Sequence, residues 1–91
     1  MNNESHNPLK GDTNGPITAL DKTIIGILIN PSADTWRAVL TDASDNIIFD
    51  YSGKITNQRS EYVPVRLHTN GISYSSLNTN ITNIYVYTDE V

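Results

Sequence analysis

Alternating apolar and polar positions predict two strands between residues 34 and 51. The side chains that share a face are Trp36, Ala38 and Leu40 in the first strand and Ile47, Phe49 and Tyr51 in the second. A period of two is typical of strands with one buried face. Residues 41–46, rich in Asp and Asn, predict a short hairpin loop that Asp42 caps through its side chain. We expect Trp36 and Phe49 to meet in one core.

An apolar run without strict alternation, from Lys22 to Asn30, predicts a strand that is covered on both faces. Gly26 in its centre indicates a bulge, or the close approach of Trp36 or another large side chain. The segment from Asn30 to Asp34 contains Pro31 and reads as a turn. We therefore expect this strand and the strand at residues 34–41 to be antiparallel neighbours.

Three more strands are predicted after a polar loop at residues 52–60. Residues 61–69 alternate, and Pro64 removes a backbone donor, which favours an edge strand or a bulge. Asn70 and Gly71 form the preferred pair for a two-residue hairpin, which would connect this strand to one at residues 72–77. The last predicted strand covers residues 81–88.

Six short strands without a helical segment predict an all-β fold, a small antiparallel β-sandwich or barrel. Residues 1–18 are rich in Pro, Gly and Asn, and they predict a flexible N-terminal arm ahead of a single β domain at residues 19–91. One interpretation is that the arm orders on a partner, with Leu9 and Lys10 as its anchor. The alternative is a terminus without a role.

Composition and charge narrow the classes of function. The chain has 91 residues, a formal net charge of -4 and no cysteine. Its basic residues are scattered, which disfavours nucleic-acid binding. Its small size leaves two alternatives open: a self-sufficient monomer with a well-packed β core, or self-association or docking on a partner. The apolar run is too short to span a bilayer, and the first residues lack the pattern of a secretory signal. We expect a soluble protein made in a cytoplasm, with no membrane partner.

The sequence offers no catalytic, metal-binding or cofactor-binding set. His6 and His68 lie far apart in the chain, so no paired histidine ligands are present. His68 could act as a base for Ser73 or Ser75 across the predicted hairpin, but no third orienting group can be named. We predict that the protein is not an enzyme and holds no cofactor or metal.

The tyrosines and a few cations are the candidates for contact with a partner. Tyr and Arg are enriched at the centres of interfaces, and loops on a β scaffold often carry recognition residues. The predicted partner-binding residues are Leu9, Lys10, Arg59, Tyr62, Arg66 and His68. We assign Tyr51, Tyr85 and Tyr87 to the boundary of the core, with a ligand-stacking platform as the alternative.

In overall pattern, this short, acidic, cysteine-free chain, rich in Asn, Thr and Ser, resembles the small accessory proteins of tailed-phage virions, such as capsid decoration or cement proteins. The resemblance implies a non-enzymatic assembly protein at the virion surface, bound in many copies to a larger protein surface. Its partner would be a major capsid protein or copies of itself, with a trimer among the expected states. An open strand edge would suit such a role.

A carbohydrate-binding or adhesion module of a virion or cell-surface protein is the alternative function. In it, Trp36 or the tyrosines would stack on sugar, and the loops at residues 57–59 and 78–80 would supply amide contacts. This interpretation needs an exposed Trp36. The position of Trp36 on the face of Ala38 and Leu40 argues against it, because that face is predicted to be core.

Overall fold

The chain forms one antiparallel sheet of six strands in a computed structural model that describes residues 8–54 and 59–89. The strands are β1 (Leu9–Gly11), β2 (Gly15–Pro31), β3 (Thr35–Thr41), β4 (Ile47–Lys54), β5 (Glu61–Tyr74) and β6 (Ile81–Thr88). Their order across the sheet is β1-β6-β2-β5-β3-β4. The described residues contain no helix. The predictions of an all-β class and of about six strands are confirmed.

Two long strands, β2 and β5, pass through both halves of the sheet. Residues 21–29 of β2 pair with residues 61–70 of β5, and these segments form layer 1 together with β6 and β1. Residues 15–18 of β2 pair with residues 72–74 of β5, and these form layer 2 together with β3 and β4. A register shift directly after Thr18 marks the corner between the layers, as expected where strands bend from one sheet layer into another.

The hydrophobic core lies between the two layers. Layer 2 contributes Trp36, which is 1% exposed, and layer 1 contributes fully buried side chains from β2 and β6. Phe49 packs against the same cluster, and the ring centroid of Tyr51 lies 5.7 Å from that of Trp36 and 6.1 Å from that of Phe49. The prediction that Trp36 and Phe49 share one core is confirmed.

The predicted hairpin at Asn70 and Gly71 is wrong. Both residues lie inside the continuous strand β5, and Gly71 has a φ of 84°, which only glycine adopts without strain. The turn-like backbone therefore bends the strand at the corner between the layers and does not reverse it. The predicted strand at residues 72–77 is in fact the end of β5 followed by a connection along β3.

The prediction of a flexible arm over residues 1–18 is wrong for the part that the structure describes. Leu9–Gly11 forms β1, which pairs with β6 at the edge of layer 1, and Gly15 begins β2. Leu9 packs against the core. The three-residue strand is too short for its pattern to be recognised, and it depends on β6 for its hydrogen bonds. Residues 1–7 of the predicted arm lie outside the described residues.

The expectation that β2 and β3 are neighbours is also wrong. The turn after β2 leads the chain into layer 2, so β2 lies between β6 and β5 while β3 lies between β5 and β4. The expectation for Pro64 is confirmed. Among the described strands, residues 61–69 of β5 pair only with β2. The register shifts between Leu67, opposite Ile24, and Pro64, opposite Gly26.

Candidate interaction surface

The outer surface of layer 1 carries an apolar and aromatic patch that we call the tyrosine face. It consists of Tyr62 on β5, Tyr85 and Tyr87 on β6, and Leu28 on β2. Successive strand residues point to opposite faces, so the burial of their neighbours in the core turns these four outward. Tyr62 is 50% exposed, and the other three are half-buried.

Strand register aligns one row of the tyrosine face across all four strands of layer 1. Lys10 lies opposite Tyr85, Tyr85 opposite Leu28, and Leu28 opposite Tyr62. Directly opposed side chains on one face of a sheet contact each other, so the row is one continuous surface. A ligand seated on this row would therefore contact β1, β6, β2 and β5 together.

Tyr62 and Tyr87 meet over a glycine on the strand between them. Their ring centroids are 5.9 Å apart at an interplanar angle of 70°, the edge-to-face arrangement that aromatic pairs favour. A Cβ atom at Gly26 would collide with the Tyr62 hydroxyl. The prediction of a bulge or a close approach at Gly26 is confirmed on both counts, and the approaching side chain is Tyr62, not Trp36.

Amide and hydroxyl groups border one end of the tyrosine face. The Asn30 Nδ2 atom donates to Asn83 Oδ1 at 2.6 Å, and the Ser60 hydroxyl donates to Asn30 Oδ1. Asn30 and Asn83 occupy the positions next to the tyrosine row on β2 and β6, and Ser60 directly precedes β5. This end can exchange hydrogen bonds with a ligand without carrying a charge.

Charged and titratable groups border the opposite end. Arg66 Nη2 pairs with Asp89 Oδ2 at 2.8 Å, and both side chains are well exposed. His68 Nδ1 and Thr23 Oγ1 share a hydrogen bond of 3.2 Å. The positive and negative charges are balanced in this pair, so the border does not select strongly for an acidic or a basic partner.

The structure brings four of the six predicted partner-binding residues onto one surface. Tyr62, Arg66 and His68 lie on the outer face of β5, and Lys10 ends the row that contains Tyr62. Leu9 does not belong to this surface, because its place in β1 turns it toward the core. Arg59 is exposed and lies two residues before β5.

The predicted partner-binding residues do not include Tyr85, Tyr87 or Leu28. The two tyrosines, which the sequence favours at the boundary of the core, are half-buried and lie outside the core cluster, on the outer face of layer 1. Alternation in β6 contained the necessary signal, since Asn83 shares their parity and Ile84 has the opposite one. Leu28 could not be assigned because the apolar run of β2 does not alternate.

An open cleft of about 520 Å³ lies on layer 2. Residues that line part of it are Ser73, Tyr74, Ser75, Ile47 and Leu77. Burial raises the pKa of Tyr74 above its ordinary value, and the negative charge of Asp12 adds to that effect. Because β5 is extended through this region, His68 on layer 1 is not brought to Ser73, and the hypothetical base and nucleophile do not meet.

Two absences concern only the part of the chain that the structure describes. No group of three or more His, Asp or Glu side chains there could hold a metal ion. No helix long and apolar enough to cross a membrane is found there. No protein-family model, curated protein or solved structure matches this chain.

Proposed function

We propose that this chain is a non-enzymatic assembly protein that binds a larger protein surface in multiple copies through its tyrosine face. The observation that supports this proposal is the row from Lys10 through Tyr85 and Leu28 to Tyr62, with Tyr62 half exposed. A partly exposed aromatic centre with few charges and a polar border is typical of protein interfaces.

The larger surface in this proposal is a viral shell built from a major capsid protein, on which the chain acts as a decoration or cement protein. The support for this narrower role is the resemblance of the whole sequence to small virion accessory proteins, together with the broad outer face of layer 1. A four-stranded face can cover the junction between two neighbouring subunits. Many identical copies would then stabilise the shell by adding contacts across its junctions.

Carbohydrate binding is the second candidate function, with a stacking residue other than Trp36. A sugar has no access to Trp36, because this side chain is 1% exposed. The tyrosine face offers another platform, since the half-exposed ring of Tyr62 lies on the same outer face as the Asn30 amide and Asn83. Ring faces and amide groups together are suited to neutral sugars.

Binding to purified shells of a candidate major capsid protein tests the main proposal. We expect the wild-type chain to cosediment in many copies per shell, and Tyr62→Ala to weaken binding by about tenfold or more, as truncation of an interface centre does. Leu77→Ala is the matched control, because Leu77 is a 44% exposed apolar side chain near the cleft on layer 2. Equal loss in both variants would contradict a role specific to the tyrosine face.

A glycan array run with the same variants separates the two candidate functions. Binding of a neutral glycan that Tyr62→Ala abolishes, without binding to any shell, would favour the carbohydrate-binding module. Binding to shells with a blank glycan array would favour the assembly protein. Far-UV circular dichroism of each variant verifies that the sheet is intact.

A further inference from the structure

The open edges of the sheet are unequally protected against pairing with another chain. The edge strand β1 has three residues and includes Lys10, and the open edge of β5 contains Pro64 and a bulge. Short length, lysine, proline and bulges are the usual devices that prevent edge-to-edge pairing. At the other edge, β4 has eight residues. A register shift near Ile47 and the lysine at position 54 lie at its two ends, and residues 49–53 between them keep an unbroken register with β3.

Hydrogen bonds on the far side of β3 reveal which way its backbone groups point. Arg37 and Thr79 exchange two backbone hydrogen bonds of 3.0 and 2.9 Å. The side-chain amide of Asn78 accepts from the Val39 N–H at 2.7 Å and donates to the Val39 carbonyl at 2.9 Å. The N–H and C=O groups of Arg37 and Val39 therefore point away from β4.

The alternation of an antiparallel pair then fixes the orientation of β4. Trp36, Ala38 and Leu40 direct their backbone groups toward β4, where their register partners are Gly53, Tyr51 and Phe49. The residues between these partners, Asp50 and Ser52, direct their N–H and C=O groups to the open edge. In the described residues, β4 pairs with no strand other than β3, and no backbone hydrogen bond reaches these groups from a loop.

Charge does not protect this part of the edge. Asp50 is held by Arg37 on β3 through two hydrogen bonds, with Nε at 3.0 Å from Oδ1 and Nη2 at 2.8 Å from Oδ2. The pair neutralises the carboxylate, and Ser52 is uncharged. Tyr51, between them, is 37% exposed although its ring contacts Trp36.

We propose that β4 is a dimerisation edge, at which a second copy of the chain adds its own β4 in antiparallel orientation across a twofold axis at Tyr51. The outward N–H and C=O groups of Asp50 would pair with those of the partner's Ser52, and those of Ser52 would pair with the partner's Asp50. We infer an antiparallel second copy because each outward N–H group then meets an outward C=O group of the partner. The same contacts occur on both copies, as a twofold interface requires. The sheets of the two copies become one.

Charge excludes an axis at Asp50, and the aromatic side chain favours an axis at Tyr51. An axis at Asp50 would place two aspartates directly opposite each other, which is destabilising. An axis at Tyr51 places Asp50 opposite an uncharged serine and brings the two partly exposed tyrosines together as a directly opposed pair. The interface lies on layer 2, so it does not depend on the tyrosine face or on the function proposed for it.

Sedimentation velocity over a range of concentrations tests this interface with Ser52→Pro. Proline at position 52 removes an outward N–H and leaves the hydrogen bonds between β3 and β4 in place. We expect the wild-type chain to dimerise, and we expect the dissociation constant of the variant dimer to be about tenfold higher or more. The reason is that each half of the interface loses one backbone hydrogen bond. Ser52→Ala, which retains the N–H, is the matched control and should dimerise like the wild type.

A single introduced cysteine tests the register. Tyr51→Cys in this cysteine-free chain should form a disulfide-linked dimer under mild oxidation, because directly opposed residues of a non-hydrogen-bonded pair have Cα atoms about 4.5 Å apart. Leu77→Cys, which is exposed on layer 2 but is not part of β4, is the control and should run as a monomer on a non-reducing denaturing gel. Equal cross-linking of both variants would overturn the register.

Hydrogen exchange of the wild-type chain gives a readout that needs no substitution. The amides of Asp50 and Ser52 should exchange slowly in the concentrated protein and rapidly after dilution, whereas the amide of Tyr51 stays protected in both. A wild-type chain that is monomeric at all concentrations, or Asp50 and Ser52 amides that exchange rapidly in a dimer, would overturn the proposal. Loss of shell binding by Tyr62→Ala with an intact dimer would not affect the dimerisation proposal. The dimerisation edge and the function of the tyrosine face can therefore be disproved independently.

Discussion

Two segments rich in turn residues, residues 41–46 and the pair Asn70 and Gly71, have opposite effects on the path of the chain. The first closes the hairpin between β3 and β4, and Asp42 Oδ1 accepts the N–H groups of Ser44 and Asn46 at 2.9 Å each. The second bends the continuous strand β5. Turn residues therefore specify local backbone angles, and pairing with other strands decides whether the chain reverses.

The difference arises from what each flanking segment can pair with. The segments that flank residues 41–46 place Leu40 opposite Phe49, with both side chains against the core. These two segments therefore pair directly with each other as a hairpin. On either side of Gly71, both flanking segments pair with the long strand β2. The two segments also touch, because the Ala43 N–H donates to the Asn70 carbonyl at 2.8 Å.

Gly71→Ala should give the largest loss of stability. The φ of 84° costs an alanine about 1–2 kcal/mol, and its Cβ would lie 3.0 Å from Ala43 Cβ, so we expect a loss of about 2 kcal/mol in the free energy of unfolding. For a domain of this size, the melting temperature would fall by about 10 °C. Thermal unfolding followed by circular dichroism measures it.

Asn70→Ala is the control that distinguishes a bent strand from a hairpin. In a two-residue hairpin of type I′, both central residues need positive φ, so alanine at position 70 would be costly. In this structure, Asn70 is absent from the described residues with positive φ, and its carbonyl, not its side chain, bonds Ala43. A large loss for Asn70→Ala would contradict the continuous strand.

Asp42→Ala should give a smaller loss than Gly71→Ala. It removes the acceptor for the N–H groups of Ser44 and Asn46, but the loop is exposed and water can replace the carboxylate. Urea unfolding followed by Trp36 fluorescence measures the loss. Asp42→Asn retains one acceptor oxygen and should lie between the wild type and the alanine variant. A loss in Asp42→Ala equal to that of Gly71→Ala would contradict this difference between the two segments.

The smallest expected effect is a fall in stability at acid pH. Hydrogen bonds from the Asn46 and Ser44 N–H groups lower the pKa of Asp42, and a hydrogen bond from Arg37 lowers the pKa of Asp50. A lowered pKa adds stability above the pKa of the unfolded chain, about 3.9, and this stability is lost as pH falls through the lower folded value. Urea midpoints between pH 6 and pH 2 should therefore fall less in Asp42→Ala than in the wild type.

Much of the fold could be predicted because alternation reports which side chains face the core. It assigned Trp36, Ala38 and Leu40 to the core, and Val63 and Leu67 to the opposite face from Tyr62. Alternation carries no information about strand order, so the crossing from β2 into layer 2 was not predicted. The predicted and observed numbers of strands are both six. This agreement hides two errors that offset each other, because the prediction lacks β1 and divides β5 into two strands.

The candidate surface was only partly predictable for a related reason. Tyr62, Arg66 and His68 share one parity in a strand whose other face is clearly apolar, so their common surface could be recognised from the sequence. The contribution of Tyr85 and Leu28 depends on register between strands far apart in the chain. Such register is set by tertiary pairing, which a local pattern does not contain.

The passage of β2 and β5 through both layers has a consequence for how the protein folds. We expect neither layer to form while the other is unfolded, because both long strands run through both layers. The edge strand β1 pairs only when Leu9 meets Val86, far along the chain. Almost every pairing closes a long loop of chain, and such topologies fold slowly, in milliseconds to seconds. We expect unfolding in one cooperative step, without a half-folded state in which a single layer survives.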